Sequence, residues 1–178
     1  MEVLHPKLVH LPLALSMLMP LLGGAIALSW WRGWLPRRVW AITLLLHMTL
    51  TLSAFAAMQS GEDEQNIAEK VVSGELIRAH EDSASALLWL SVVALFAALI
   101  ATIAEDERTA LRFAAGTVII SLGVAFFAVE TGGLGGDLVY KHGAARAFIL
   151  NESETAPKTS PKTAPKMRPQ AEIKPPIK

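Results

Sequence analysis

The sequence predicts an all-α fold, a four-helix transmembrane bundle. Among its 178 residues, 52% are hydrophobic and 18% are charged, whereas soluble domains carry about 25% charged residues. The apolar residues form four blocks, and each is close to the roughly 20 residues that a helix needs to cross a bilayer. In lipid every backbone polar group must find a partner within the protein, which favours helices. The blocks cover residues 8–31, 39–58, 84–104 and 111–131.

The first block contains prolines and glycines, which helices in lipid tolerate because neighbouring groups satisfy the freed backbone atoms. Four residues with small or compact side chains recur in it at helical spacing: Ser16, Pro20, Gly23 and Ala27. They predict a helix face that packs against a neighbouring helix. The hairpin that follows carries the aromatic and basic belt of a membrane boundary: Trp30, Trp31, Arg32, Trp34, Arg37 and Arg38. This belt predicts a cytoplasmic turn.

The second block places Thr43, His47 and Thr51 on one helix face, because they are four residues apart. An ionisable residue in the middle of a span favours a functional role. The alternative is a neutral histidine that is hydrogen-bonded to a facing helix. Between the second and third blocks, residues 66–78 predict a short amphipathic helix on the membrane surface, with a solvated loop as the alternative.

The end of the chain divides into two parts. Residues 132–136 contain four glycines, which permit unusual backbone angles and close approach to a flat group. From residue 151 prolines alternate with lysines, which predicts a disordered tail. The predicted organisation is therefore a four-span bundle over residues 1–150 and a Pro/Lys-rich tail over residues 151–178.

Several classes of function are disfavoured. The sequence has no cysteine, which removes disulfides, thiolate metal sites and covalently attached c-type haem. The formal net charge is zero, so no basic field attracts nucleic acid. Motifs of soluble hydrolases and metalloproteases are absent from the sequence, and we therefore expect a protein that is not an enzyme by itself.

The histidines give the main functional indication. Four spans return the chain to the side where it began, so His5, His10, His80 and His142 are expected at one end of the bundle. His47 is expected about 16 Å deeper, at a rise of 1.5 Å per residue. His5 and His10 are five residues apart, hence about 140° apart on one helix, and cannot chelate one ion from a single face.

The charged loops predict the orientation. Arginines cluster in the two short loops at the opposite end, which are expected to be cytoplasmic under the positive-inside rule: Arg32, Arg37, Arg38, Arg108 and Arg112. The histidine-bearing end and both termini are then extracytoplasmic.

Two motifs resemble those of a bacterial membrane family called domain of unknown function 2231. The first is His5-Pro6, followed by His10 and Pro12, and the second is Gly136-Asp137-Leu138-Val139-Tyr140-x-His142-Gly143. The resemblance covers roughly residues 1–150, and His80 before the third span also fits it. It implies a four-helix module of the bacterial inner membrane without an established activity.

The leading functional hypothesis is a haem b electron-transfer protein or a subunit of a redox complex, since imidazoles bind haem iron without cysteine. His10 and His80 are the preferred ligands, with His142 and His5 next. We expect the backbone at Gly132 and Gly136 to approach the macrocycle. Arg78 and Lys141 are the expected partners of its propionates, and Glu130 and Tyr140 are the polar groups expected beside the imidazoles.

Two further hypotheses remain open. The same histidines could hold copper, zinc or iron as a bare ion in a metal-handling protein. Alternatively, the histidines are structural, and the chain is a membrane scaffold or assembly subunit. Membrane lipid, the subunits of a membrane redox complex and a second copy of the chain are the expected partners.

Overall fold

The computed structural model describes residues 4–155, which form six α-helices and the turns between them. Four of the helical segments are long and apolar enough to cross a membrane, which confirms the predicted fold class. A 3₁₀ turn at Arg37–Val39 leads into the second of them. The helices are α1 (His5–Leu8), α2 (His10–Trp31), α3 (Trp40–Ala68), α4 (Gly74–Ile103), α5 (Glu107–Tyr140) and α6 (Ala144–Thr155).

The four long helices form a closed antiparallel bundle. Each of α2 and α4 packs against both α3 and α5. Because successive helices run in opposite directions, α2 and α4 begin at the end where α3 and α5 finish. We call this end the histidine end and the opposite one the arginine end. The short helix α1 packs against α3, and α6 packs against α3 and α5.

Many large apolar side chains face outward on every long helix, as at Leu21, Phe55, Trp89 and Phe126. The interior combines a few large apolar side chains, among them Met19, Trp40 and Leu50, with small and polar residues, which allow close helix packing in lipid. The fully buried ones include Ser16, Thr43, His47, Ser91, Ala94, Ala98, Ala114, Thr117 and Ser121.

A proline separates α1 from α2. Pro12 has no backbone N–H, so the carbonyl of Leu8 lacks its helical donor, and the helix is interrupted at Val9. The backbone continues in a helical conformation through this point, because Leu13 N–H donates to the carbonyl of Val9 at 3.2 Å.

The arginine end is closed by polar contacts that involve all four long helices. The Arg37 guanidinium donates to the carbonyls of Ala101 and Thr102 at the end of α4, at 3.1 and 2.9 Å. The indole of Trp40 donates to Ala98 at 3.2 Å, and that of Trp30 donates to Glu107 at 3.2 Å. The aromatic and basic belt predicted from the sequence therefore also ties the helices together.

The structure differs from the prediction between α3 and α4. Residues 66–78 do not form a separate amphipathic helix: α3 continues to Ala68, a turn follows, and α4 begins at Gly74. The apolar residues Val72 and Ile77 are buried against Ala144 of α6 rather than against lipid. Of the apolar residues on which the surface helix was predicted, Ile77 and Leu76 contribute to this small core, whereas Val71 is exposed.

The glycine-rich segment also differs. Residues 132–136 lie inside α5, and within the described chain positive φ angles occur at Gly33 and Gly143. The glycines instead remove side-chain bulk from a helix surface. Helix α6 continues past residue 150, and the rest of the predicted disordered tail lies outside the described residues.

Candidate histidine site at the end of the bundle

His5 is anchored to the end of α3. Its Nδ1 lies 2.9 Å from the carbonyl oxygen of Ala57 and 3.1 Å from the Ser60 hydroxyl. The backbone N–H groups of Leu4 and His5 both donate to Oε1 of Glu64, at 2.8 and 3.2 Å. These contacts hold the start of the chain against α3 and leave His5 half-buried.

His80 is anchored to α5 in a similar way. Its Nδ1 lies 3.1 Å from the carbonyl oxygen of Thr131, and one turn further along α4 the Ser83 hydroxyl lies 2.8 Å from the hydroxyl of Thr131. His80 is half-buried. The two histidines therefore come from different sides of the bundle, one tied to α3 and the other to α5.

The two imidazoles meet at the histidine end. Their ring centroids are 6.3 Å apart, and the ring planes are nearly perpendicular, at 89°. Because a carbonyl oxygen only accepts, each Nδ1 must carry the proton of its hydrogen bond. In a neutral imidazole this leaves Nε2 as the unprotonated nitrogen, and neither Nε2 has a hydrogen bond to the described residues. This is the tautomer that metal-binding histidines adopt, with Nδ1–H donating to an oxygen.

The ring separation bears on which group could bind. Two imidazoles on opposite sides of one metal, with bonds of about 2 Å, have centroids about 6 Å apart, whereas tetrahedral binding shortens this to about 5 Å. The observed 6.3 Å matches the opposed arrangement. Among the described residues, no group of three or more histidine or carboxylate side chains could hold a metal ion.

Two glycines give the rings their positions. A Cβ built on Gly135 of α5 would lie 3.1 Å from Cε1 of His80, and one on Gly61 of α3 would lie 3.1 Å from Cε1 of His5. Both distances are shorter than ordinary van der Waals contact. Each imidazole therefore lies against a helix surface from which the side chain is missing, and a larger residue at either glycine would displace it.

The structure separates the other two histidines of the predicted set from this pair by their exposure. His10, at the start of α2, and His142, just after α5, are both exposed. The backbone N–H of His142 donates to the carbonyl of Asp137 at 3.1 Å, in the turn that ends α5. His10 and His142 thus lie at the expected end of the bundle, but among the histidine rings of the described chain only those of His5 and His80 are in contact.

The remaining predicted site residues are mostly on the surface. Glu130, Arg78 and Tyr140 are exposed, and the carbonyl of Thr131 takes the hydrogen bond from His80 that was expected for Glu130. Lys141 forms a salt bridge with Asp137 of 2.8 Å. Of the two glycines expected beside a macrocycle, Gly132 faces Leu13, with its Cβ position 3.9 Å away, and Gly136 faces open space.

His47 lies apart from the pair, inside the bundle, with 1% of its surface exposed. Its Nδ1 lies 2.9 Å from the carbonyl oxygen of Thr43, and its Nε2 lies 3.0 Å from the hydroxyl of Ser121 on α5. The structure shows the hydrogen bond to a facing helix that was expected for a neutral, buried histidine. Both ring nitrogens are engaged, so His47 has no nitrogen available for a metal.

The sequence reasoning missed the groups that hold the pair in place: Ala57, Ser60, Gly61, Glu64, Thr131 and Gly135. Gly135 was within the glycine-rich segment, but its role there depends on helical phase relative to His80. The spacing of residues along α5 alone does not show which side of α5 faces His80. Gly61 and Ser60 had no neighbouring signal in the sequence.

A scan against protein-family models and searches of curated proteins and solved structures found no match to the chain.

Proposed function

We propose that this chain is a multi-pass membrane protein that binds haem b between His5 and His80 and takes part in electron transfer. The observation that carries the proposal is the geometry of this pair. Each ring is oriented by an Nδ1 hydrogen bond to a backbone carbonyl, each keeps Nε2 free of hydrogen bonds to the described residues, and the centroids are 6.3 Å apart. Bound haem would supply one-electron chemistry at this site.

The surroundings are compatible with this cofactor. The two half-buried rings lie at the end of an apolar bundle, where a macrocycle would have both hydrophobic contacts and access to water for its propionates. Arg78 and Lys141 are exposed basic residues near that end and are candidate propionate partners. In this proposal His5 replaces His10 as the partner of His80, because His10 is exposed.

The location follows from charge and from the family resemblance. We propose the bacterial inner membrane, with the histidine end outside the cytoplasm, since arginines dominate the short loops at the other end. Electron transfer at that surface would require a redox partner, which we propose to be a subunit of a membrane redox complex or a second copy of the chain.

A visible spectrum of the purified protein tests the proposal. We expect protein expressed with ample haem and purified in mild detergent to show a Soret band and the sharp α band of a six-coordinate ferrous haem after reduction. His10→Ala and His142→Ala are matched controls at the same end of the bundle and should keep the spectrum. Colourless protein from haem-replete cells would refute the proposal.

The ligand variants should separate binding from folding. In His5→Asn and His80→Asn, the amide nitrogen takes the place of Nδ1 and keeps its hydrogen bond, while the position of Nε2 is lost. We expect both variants to fold, as judged by circular dichroism, and to lose the six-coordinate spectrum. Retention of that spectrum in either variant would exclude the residue as a ligand.

A second candidate is a scaffold or assembly protein with structural histidines. It is favoured by the same Nδ1 bonds, because His5 joins the start of the chain to α3 and His80 joins α4 to α5. This function predicts that His5→Ala and His80→Ala lower stability or assembly, that the asparagine variants restore it, and that none of the variants differs in colour.

A further inference from the structure

The interior of the bundle contains a single titratable side chain. Residues 11–31, 41–61, 83–104 and 113–129 make up the apolar parts of the four long helices, and His47 is their one ionisable residue. No charged side chain from α2, α4 or α5 therefore faces His47 within those ranges. A histidine in this position is expensive to keep in a membrane unless both of its nitrogens are satisfied.

The hydrogen bonds around His47 cross between two helices. Nδ1 donates to the carbonyl of Thr43 on α3, because a carbonyl can only accept. Nε2 lies 3.0 Å from the Ser121 hydroxyl of α5, and that same hydroxyl lies 2.8 Å from the carbonyl of Thr117, one turn back along α5. The serine has one hydroxyl hydrogen and two acceptors within reach.

The position of that hydrogen depends on the protonation of His47. When the imidazole is neutral, the Ser121 hydroxyl donates to Nε2. When the imidazole takes up a proton at Nε2, the new N–H donates to the serine oxygen, and the hydroxyl rotates to donate to Thr117. Each state makes a complete set of hydrogen bonds, and the change between them needs only one proton and one hydroxyl rotation.

A second observation supports a polar site here. The hydroxyl oxygens of Thr43 and Thr51 are buried and have no hydrogen-bond partner in the described chain. These threonines lie one turn before and one turn after His47 on the same face of α3. Unsatisfied polar atoms inside a protein are rare and call for a specific explanation. Their hydroxyl groups make this face of α3 polar on both sides of His47 along the helix.

We propose that His47 is a proton-binding site inside the bundle and that Ser121 is the residue that accommodates the bound proton. The proton comes from hydronium in water at the membrane surface and binds to Nε2, and no other bond is formed or broken. The carbonyls of Thr43 and Thr117 accept the two outer hydrogen bonds of the protonated state. The site is independent of the His5–His80 pair, with which it shares no residue.

Nitrogen NMR of the full-length protein, ¹⁵N-labelled at histidine and held in lipid nanodiscs, tests the proposal. His47→Gln identifies the His47 signals by their loss. As pH is lowered, we expect these signals to change from neutral imidazole to imidazolium while circular dichroism shows the bundle still folded. If His47 stays neutral at every pH at which the bundle is folded, the proposal is wrong.

Serine variants test the role of the hydroxyl. Ser121→Ala is expected to weaken proton binding at His47 about tenfold, moving the midpoint about one pH unit lower, since a charge-assisted hydrogen bond is about twice as strong as the neutral one. Ser91→Ala is the matched control, because Ser91 is also fully buried and donates to its own helix, at Leu88.

A third variant distinguishes loss of the hydroxyl group from loss of folding. Ser121→Thr keeps the hydroxyl and is expected to restore proton binding to within about threefold of the native protein. Equal midpoints in Ser121→Ala and Ser91→Ala would overturn the assignment of Ser121. The whole proposal would be overturned if Ser121→Ala does not fold and His47 stays neutral in a folded Ser121→Thr protein.

Discussion

Replacement of Gly135 by alanine is expected to perturb His80 directly. The added methyl group would lie 3.1 Å from Cε1 and 3.5 Å from Nδ1 of the His80 ring. At these distances the ring must move by a few tenths of an ångström. Its hydrogen bond to the Thr131 carbonyl is already 3.1 Å long, so a small displacement weakens it. Gly136→Ala is a matched control one residue away, because nothing lies within 4 Å of its Cβ position.

The two substitutions should have opposite effects on stability. Alanine in place of glycine in a helix interior stabilises by about 0.5–1 kcal/mol, which is the result expected for Gly136→Ala. At Gly135 the same gain is opposed by loss of the His80 hydrogen bond, about 1 kcal/mol, and by overpacking of about 1–3 kcal/mol. Since both variants share the gain from alanine, we expect Gly135→Ala to be about 2–4 kcal/mol less stable than Gly136→Ala.

Reversible unfolding in mixed detergent micelles, followed by circular dichroism, measures this difference. If haem binds as proposed, Gly135→Ala should also weaken its binding, whereas Gly136→Ala should not. Equal stability of the two variants would show that the His80 ring does not lie against α5 at Gly135. The geometry of the histidine pair would then have to be reconsidered.

Three further predictions concern the turns and the arginine end. Arg37→Gln should lower the free energy of unfolding by about 2 kcal/mol, because the Arg37 guanidinium donates to carbonyls at the end of α4. Arg38 is exposed, so Arg38→Gln should change the free energy of unfolding by less than about 0.5 kcal/mol in the same denaturation assay. Hydrogen bonds from the side chain and backbone of Thr109 hold the pKa of Asp106 below its usual 3.8. The ionised Asp106 therefore stabilises the fold fully above pH 3.8, and this stabilisation is lost as the pH falls through the lower folded-state pKa. Asp106→Asn should remove this part of the acid destabilisation when unfolding is measured over a pH series. Gly143→Ala should destabilise the turn before α6 by about 1 kcal/mol, since Gly143 has φ +72°, and hydrogen exchange of α6 would report the loss.

The sequence predicts the bundle well because length and apolar composition are enough to identify a span. The first span shows this: its two prolines and two glycines did not prevent a continuous apolar segment from His5 to Trp31. The face shared by Thr43, His47 and Thr51 was also predictable, since it depends only on spacing within one helix. All three have buried side-chain polar atoms in the structure.

The histidine site was less predictable because it depends on helix phase and on contacts between helices. The 140° between His5 and His10 indicated that the two could not share a face, but not which of them faces the bundle. The contacts that hold His5 in the bundle, with Ala57 and Ser60 of α3, lie between helices. The glycines of residues 132–136 predicted unusual backbone angles and close approach to a flat group, whereas α5 continues through them as a helix, and a Cβ at Gly135 would lie 3.1 Å from the His80 ring.

The three histidines with buried or half-buried rings differ in how many ring nitrogens the described residues occupy. His5 and His80 each use Nδ1 and keep Nε2 free of such bonds, whereas His47 uses both nitrogens. A ring with one free nitrogen can bind a metal without losing a hydrogen bond, but a ring with two engaged nitrogens cannot. The second kind can still gain a proton, because its partner Ser121 changes from donor to acceptor. Ligand substitutions at the histidine end should therefore leave the titration of His47 unchanged, and His47→Gln should leave the proposed haem spectrum unchanged.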